Sequence, residues 1–218
     1  AERHFAPIPA QSAPPPVRTK EPPQFGERRI IVEADAQAPL LHLAFHAGSA
    51  ADTETRHMKL LLDILAGGSS SRLHRLLVEE EQIALSVGGF QMEGFDPGLV
   101  YFYLTLPPGA DIDAVETRVL EELTRVAVGG VTRAELRKAK NILLADFWRA
   151  LATIDGKASA LGKYEVFTEN YENLFSEPEA VSATTAEELQ AVASRIFRRG
   201  NMTIGVLRSA DEAPGTEP

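Results

Sequence analysis

The chain has 218 residues, 44% of them hydrophobic and 24% charged, which is enough apolar mass for a full core and excludes a disordered tail or a fibrous repeat. Its formal net charge of −9 offers no basic footprint for a phosphate backbone, so nucleic acid is not an expected partner. Cysteine is absent, and disulfides, thiolate zinc sites and cysteine nucleophiles are excluded with it.

Seven of the fourteen prolines lie within the first 23 residues. Residues 1–25 are therefore predicted to be a Pro-rich interdomain linker in extended polyproline II; an SH3-type ligand at Pro14 to Arg18 is the competing reading. The chain opens Ala1-Glu2-Arg3-His4-Phe5, without an initiator methionine or a secretion signal, and reads as the interior of something longer. Regular patterning begins at Arg28. Ile30 and Val32 mark a first strand. In a second, Leu41, Leu43 and Phe45 share one face and His42, Ala44 and His46 the other.

Asp52 opens a helix whose Met58, Leu61, Leu62 and Leu65 keep helical spacing until Gly67-Gly68 stops it. Its leucine-rich stretch, Leu60 to Leu65, is interrupted by Asp63 and falls far short of the ~20 apolar residues of a membrane span, so no membrane insertion is expected. A short helix carrying Leu73, Leu76 and Leu77 follows. Residues 84–92 and 99–106 read as a hairpin turned by Asp96-Pro97-Gly98. The period then changes to helical, with Asp113 and Glu116 spaced as a capping box and Ile112, Val115, Val119, Leu123 and Val126 as one stripe. Thr132 and Glu135 open a longer helix, on which Leu136, Ala139, Leu143, Phe147, Leu151 and Ile154 face inward. A weaker helical pattern runs on to Phe167. Thr185 and Glu188 cap a last helix, and Met202, Ile204 and Val206 form a final strand.

The order β-β-α-α-β-β-α-α-α-α-β predicts an α+β fold, one mostly antiparallel sheet with helices packed on one face. It occupies residues 26–208, followed by a flexible tail over 209–218.

No self-contained active site emerges from the residue types. His42 and His46 have a zinc-ligand spacing on a helix, but on a strand they stand about 13 Å apart at ~3.3 Å per residue. Zinc needs each nitrogen at about 2.1 Å. His57 and His74 sit on separate helices among polar neighbours, where surface positions are expected. His-x-x-Glu-His, its inverse and Gly-x-Ser-x-Gly are all absent. Gly67-Gly68-Ser69-Ser70-Ser71 lacks a P-loop lysine and follows a helix, so it reads as a flexible turn. Glu79, Glu80 and Glu81 read as a solvated helix face.

Several strings taken in order resemble the C-terminal, non-zinc-binding domain of the pitrilysin and mitochondrial-processing-peptidase family of zinc peptidases, the insulinase-like inverzincins. They are the Pro-rich opening, Leu65 to Leu73, Leu77 to Val87, and Val131 to Leu136 with Ala139-Lys140-Asn141. The resemblance runs from about residue 1 to 208. It implies a non-catalytic half-domain that closes a peptide-holding chamber over a zinc-bearing N-terminal domain of the same parent protein. No cofactor is then expected in this chain, zinc belongs to that other domain, and this piece alone is expected to be inactive.

Family members carry an arginine and a tyrosine, seven residues apart, that help bind substrate; Val78 and Leu85 stand at those positions here. That departure implies a homologous partner subunit supplying the pair, as in split bacterial heterodimers. It also suits a catalytically inactive structural subunit, and a stand-alone peptide-binding module is a third reading. With helices on one sheet face, His42, His46, Tyr101, Tyr103 and Thr105 are the expected substrate contacts on the other, with packing against the linker or a neighbouring helix as the alternative. Family habit places such a protein in the periplasm or in another exported bacterial location, with the cytoplasm as the alternative.

Overall fold

The computed structural model describes residues 2–9, 11–12 and 21–209. The Pro14 to Arg18 segment and the tail beyond Ser209 lie outside the described residues. Within residues 1–25, α1 (Glu2–Phe5) is a single helical turn in a stretch the proline content predicts to be extended.

The strands β1 (Arg28–Ala34), β2 (Leu40–His46), β3 (Ser86–Gln91), β4 (Leu99–Thr105) and β5 (Met202–Ser209) make one sheet in the order β1-β5-β2-β4-β3. Its β5–β2, β2–β4 and β4–β3 pairs are antiparallel, as the α+β reading requires, and β1 lies parallel to β5. A parallel pair needs a crossover connection, and here every helix after α1 lies between its two strands.

Period-two alternation decides which side is covered. Leu41, Leu43 and Phe45 of β2, Val100, Phe102 and Leu104 of β4, and Met202, Ile204 and Val206 of β5 are all buried under the helices. The central helix, α2 (Thr53–Ala66), brings Met58, Leu61 and Leu65 to that surface. It packs against α5 (Arg133–Ala150) and α8 (Ala186–Ile196), while α4 (Ile112–Gly129) leans on α8. Each large apolar side chain buried this way contributes about 1.5–3 kcal/mol.

Both capping boxes predicted at Thr132/Glu135 and Thr185/Glu188 are formed. The one predicted at Asp113/Glu116 is not. Asp111 caps α4 through the Ala114 amide at 3.0 Å, and the Glu116 carboxylate instead receives Arg29 of β1 at 2.7 Å.

Five helices, rather than the four expected, follow the hairpin. The long helix breaks at Leu151, and α6 (Ile154–Thr168) starts anew with Thr153 accepting the Gly156 amide. Gly156 permits the reversal, because a Cβ there would lie 1.8 Å from the Ala150 carbonyl oxygen. Ile154, read as inward-facing, is 88% exposed as a result. The extra helix, α7 (Asn173–Ala183), buries only Leu174 and Val181 and contains Pro178, a helix breaker by the usual rules.

The short helix also departs from expectation. After α3 (Arg72–His74) the backbone widens into a π-helix over Arg75–Glu80, and Gln82 then takes a left-handed φ of 54°. That conformation costs an L-residue with a Cβ roughly 1–2 kcal/mol, and glycine gives back part of the relief as unfolded-state entropy. Gln82→Gly is therefore expected to stabilise the domain by about 0.5 kcal/mol, raising Tm by ~1–2 °C in thermal denaturation.

The Gly67 to Ser71 string is a positioning device and not merely a flexible turn. It delivers Arg72, whose Nε and Nη2 donate to Glu135 at 2.6 and 2.8 Å and whose Nη1 donates to Glu122 of α4 at 3.1 Å. One guanidinium thus ties α3, α4 and α5 together.

Candidate functional site

The side of the sheet away from the helices carries the residues that alternate with the buried ones. Register places His42 opposite Tyr103, Ala44 opposite Tyr101, and Leu40 opposite Thr105. Across the next strand pair, Phe90 lies opposite Tyr101, Gly88 opposite Tyr103 and Ser86 opposite Thr105. The intervening β3 positions face the helices: a Cβ on Gly89 would meet Leu62 and Ala66, and Gln91 donates to Thr55 of α2.

The rings form a connected array. Phe90 stacks on Tyr101 with centroids 5.0 Å apart, Phe90 and Tyr103 stand 6.1 Å apart, and His42 and Tyr103 6.4 Å. The Tyr103 ring lies flat across Gly88, where a Cβ would come within 2.3 Å of its hydroxyl end. Glycine is therefore required at 88 if the ring is to lie down along the sheet. No Asp, Glu, Lys or Arg occurs at the open-face positions of β2, β4 or β3. The surface is aromatic, hydroxylated and uncharged, suited to an extended apolar chain.

Four of the five expected contact residues, His42, Tyr101, Tyr103 and Thr105, fall on this open face. His46 shares the face but is occupied, its Nε2 lying 3.2 Å from Gln24 Oε1. Gln24 also donates to the carbonyls of Gly26 and Met202, which seats this residue against the end of β5. Phe90 was not anticipated, because its place beside Tyr101 depends on the hairpin register, which the Asp-Pro-Gly turn does not fix.

A second concavity, of about 600 Å³, lies between the start of α2, the hairpin tip, and the facing parts of α6 and α7. Arg56 donates to both oxygens of Glu177 at 2.9 and 2.8 Å. Lys59 and Lys163 share Glu93 at 2.8 and 2.5 Å. Burial disfavours the Glu93 anion, but the two lysines more than offset this and hold its pKa below the ordinary value. Burial and the nearby Glu177 push the Tyr164 phenol up. These charges are mutually satisfied, so the cleft fastens the outer helices to the hairpin tip.

The comparisons with known proteins bear on this arrangement. The peptidase M16 inactive domain family matches residues 1–143, more than half of the chain. The chain belongs to this family. An uncharacterized zinc protease of Mycobacterium leprae is 28% identical over 159 residues, which are 72% of this chain and 36% of that protein. A protease from Helicobacter pylori shares the fold with a TM-score of 0.88 at 23% identity, covering 95% of this chain and 50% of that one. The inactive peptidase domain of a protein assigned as a zinc protease in Bordetella parapertussis gives a TM-score of 0.71 at 25% identity, covering 80% of this chain and 92% of that one. The M16 chain thus spans well under half the length of curated relatives it matches, 36% and 43% in two cases.

Four histidines of this M16 domain have identifiable surroundings. His42 abuts Tyr103, His46 engages Gln24, and His74 Nδ1 lies 3.6 Å from Glu79. His57, expected at the surface, is buried on α2, where burial lowers its pKa against the opposing pull of Glu188. Among the described residues no three His, Asp or Glu side chains are grouped as a metal would need. No described helix is long and apolar enough to cross a membrane.

Val78 and Leu85 occupy different environments. Val78 is partly buried against the core, whereas Leu85 is 57% exposed and its amide donates to the Thr105 carbonyl at 2.8 Å. Neither side chain can donate a hydrogen bond to a peptide or an oxyanion. Val78 has been absorbed into the packing under the π-helix.

Proposed function

We propose that this M16 domain forms one wall of a peptide-holding chamber whose hydrolytic half is a zinc-bearing domain outside this chain. The observation that carries the reading is the uncharged aromatic face of Phe90, Tyr101 and Tyr103, on the side of the sheet opposite to the one where β2, β4 and β5 are buried under helices. Such a wall binds an extended substrate through ring faces and hydroxyls and keeps water from the cleft. It contributes no proton transfer and no metal ligand, so cleavage belongs to the zinc-bearing domain. The zinc-protease relatives support that partner. A homologous partner subunit carrying the arginine-tyrosine pair, and a periplasmic or otherwise exported location, belong to the same proposal.

Replacing Tyr101 and Tyr103 together by alanine, in the assembly with the zinc-bearing domain, is expected to lower kcat/KM for an unfolded peptide about tenfold, the equivalent of ~1.4 kcal/mol. Unchanged turnover would remove the substrate-contact role. The isolated 218-residue chain supplied with zinc is expected to cleave nothing, and chelator-sensitive hydrolysis by it would overturn the division of labour.

A further inference from the structure

Among the described residues, no strand pairs with the outer edge of β1. Each of its seven residues is exposed, and its centre is Ile30, Ile31 and Val32 at 57, 51 and 49% exposure. Edge strands present unpaired N–H and C=O groups, and proteins protect them with proline, charged side chains, bulges or a covering segment. Arg28–Ala34 contains no proline or glycine, its charges Arg28, Arg29 and Glu33 flank an uncharged centre, and among the described residues β5 is its one sheet neighbour. The opposite edge, β3, is interrupted by Gly88 and Gly89, which weaken it as a template.

A second observation lies on the helix side. The helices stop short of β1 and leave a groove of about 660 Å³ beside it, with Ile31, Val206 and Ile112 in its lining and Arg29 and Arg208 along it.

We propose that β1 is a self-association edge, at which two copies of this chain pair antiparallel about a twofold axis normal to the sheet, Ile31 facing Ile31 of the second copy. Such an axis keeps both open faces on one side, and cross-strand neighbours must project to the same face. The numbers of paired residues must therefore sum to an even value. Centring on Ile31 sets Ile30 opposite Val32 and Arg29 opposite Glu33 at both ends. Centring on Ile30 sets Arg28 against Val32, and centring on Val32 sets Glu33 against Ile31, so neither joins opposite charges. Arg29 already holds Glu116 of its own chain, and Glu33 accepts from Arg208. The pairing thus extends each ion pair into an alternating row of four charges, and the two Ile31 side chains join the grooves into one apolar seam. The result is a ten-stranded sheet with two aromatic faces side by side.

The absence of cysteine makes the register directly testable. Directly opposed antiparallel residues have Cα atoms roughly 4.5–5.5 Å apart, inside the range of about 4.4–6.8 Å that a disulfide spans. Sedimentation of the 218-residue chain at tens of micromolar is expected to give about twice the 23.7 kDa of one copy. Ile31→Lys is expected to give a monomer with an unchanged circular-dichroism spectrum and a melting temperature that no longer rises with protein concentration. Under mild oxidation most of Ile31→Cys is expected to run as a disulfide dimer, whereas Thr124→Cys, exposed on α4, does not. A monomeric wild type, a dimer that survives Ile31→Lys, or equal crosslinking of the two cysteine variants would overturn the proposal.

Discussion

Phe102→Ala is expected to destabilise the domain by about 4 kcal/mol, read as a fall in the urea midpoint at unchanged slope. Phe102 is fully buried on β4, with its ring 6.3 Å from Phe45 of β2 and 5.8 Å from Phe197 at the end of α8, both edge-on. Phe45 and Phe197 close the triangle at 5.3 Å. Edge-to-face contacts add about 0.5–1.5 kcal/mol each beyond the area they bury. The hole left by truncation cannot collapse, because β4 is held by β2 on one side and β3 on the other. Phe102→Leu keeps most of the volume and is expected to cost only about 1.5 kcal/mol. An alanine variant no less stable than the leucine variant would show that the aromatic triangle does not hold α8 to the sheet.

Arg72→Ala is expected to cost about 3 kcal/mol at neutral pH, since it leaves the buried Glu122 with only Arg125 and strips Glu135 of its strongest partner. Arg72→Lys should recover little, because a single ammonium cannot reproduce the two-pronged contact with Glu135. The same interaction predicts a pH dependence. The Arg72 hydrogen bonds, working against burial and aided by the Thr132 cap, lower the Glu135 pKa from 4.5 to about 2. A carboxylate with a depressed folded-state pKa stabilises the fold above its unfolded value and loses that contribution as pH falls through the folded one. The wild type should therefore lose stability between pH 4.5 and about 2. Arg72→Ala should show a flatter profile across that window in thermal melts. Parallel profiles for the two proteins would place the acid sensitivity elsewhere.

The alternation of Leu41, Leu43 and Phe45 with His42, Ala44 and His46 was enough to separate the covered face from the open one, because a strand's period is fixed by its geometry. Thr132 and Thr185 were legible as caps for a similar reason: hydroxyl and carboxylate three residues apart can satisfy two amides at once. What failed was set by long-range partners. Glu116 had the spacing of a cap, but Arg29, 87 residues away in sequence, took its carboxylate. Ile154 kept an inward-facing period, yet the chain reversed at Gly156 and left it in solvent. Residues 173–183 carried no expectation, and the helix there is held by Leu174 and Val181 despite Pro178 inside it. Tyr101 and Tyr103 could be assigned to the open face from β4 alone. Phe90 could not join them until the hairpin register was known, nor could His46 be seen to be taken up by Gln24.

The position of β5 has a consequence for how the chain is made. The strand lies between β1 and β2, yet it begins at Met202, 174 positions after Arg28 opens β1 (202 minus 28). At roughly 5–20 residues per second, a nascent chain carries Ile30, Ile31 and Val32 without their neighbour for about 10–35 s. Closing so distant a pairing late makes assembly slow, and for that interval the bare strand is a target for chaperones or for other nascent copies. The strand at the middle of the sheet is the last of the five to leave the ribosome. Deleting Met202–Ser209 would accordingly remove the shared neighbour of β1 and β2 and split the sheet rather than shorten it.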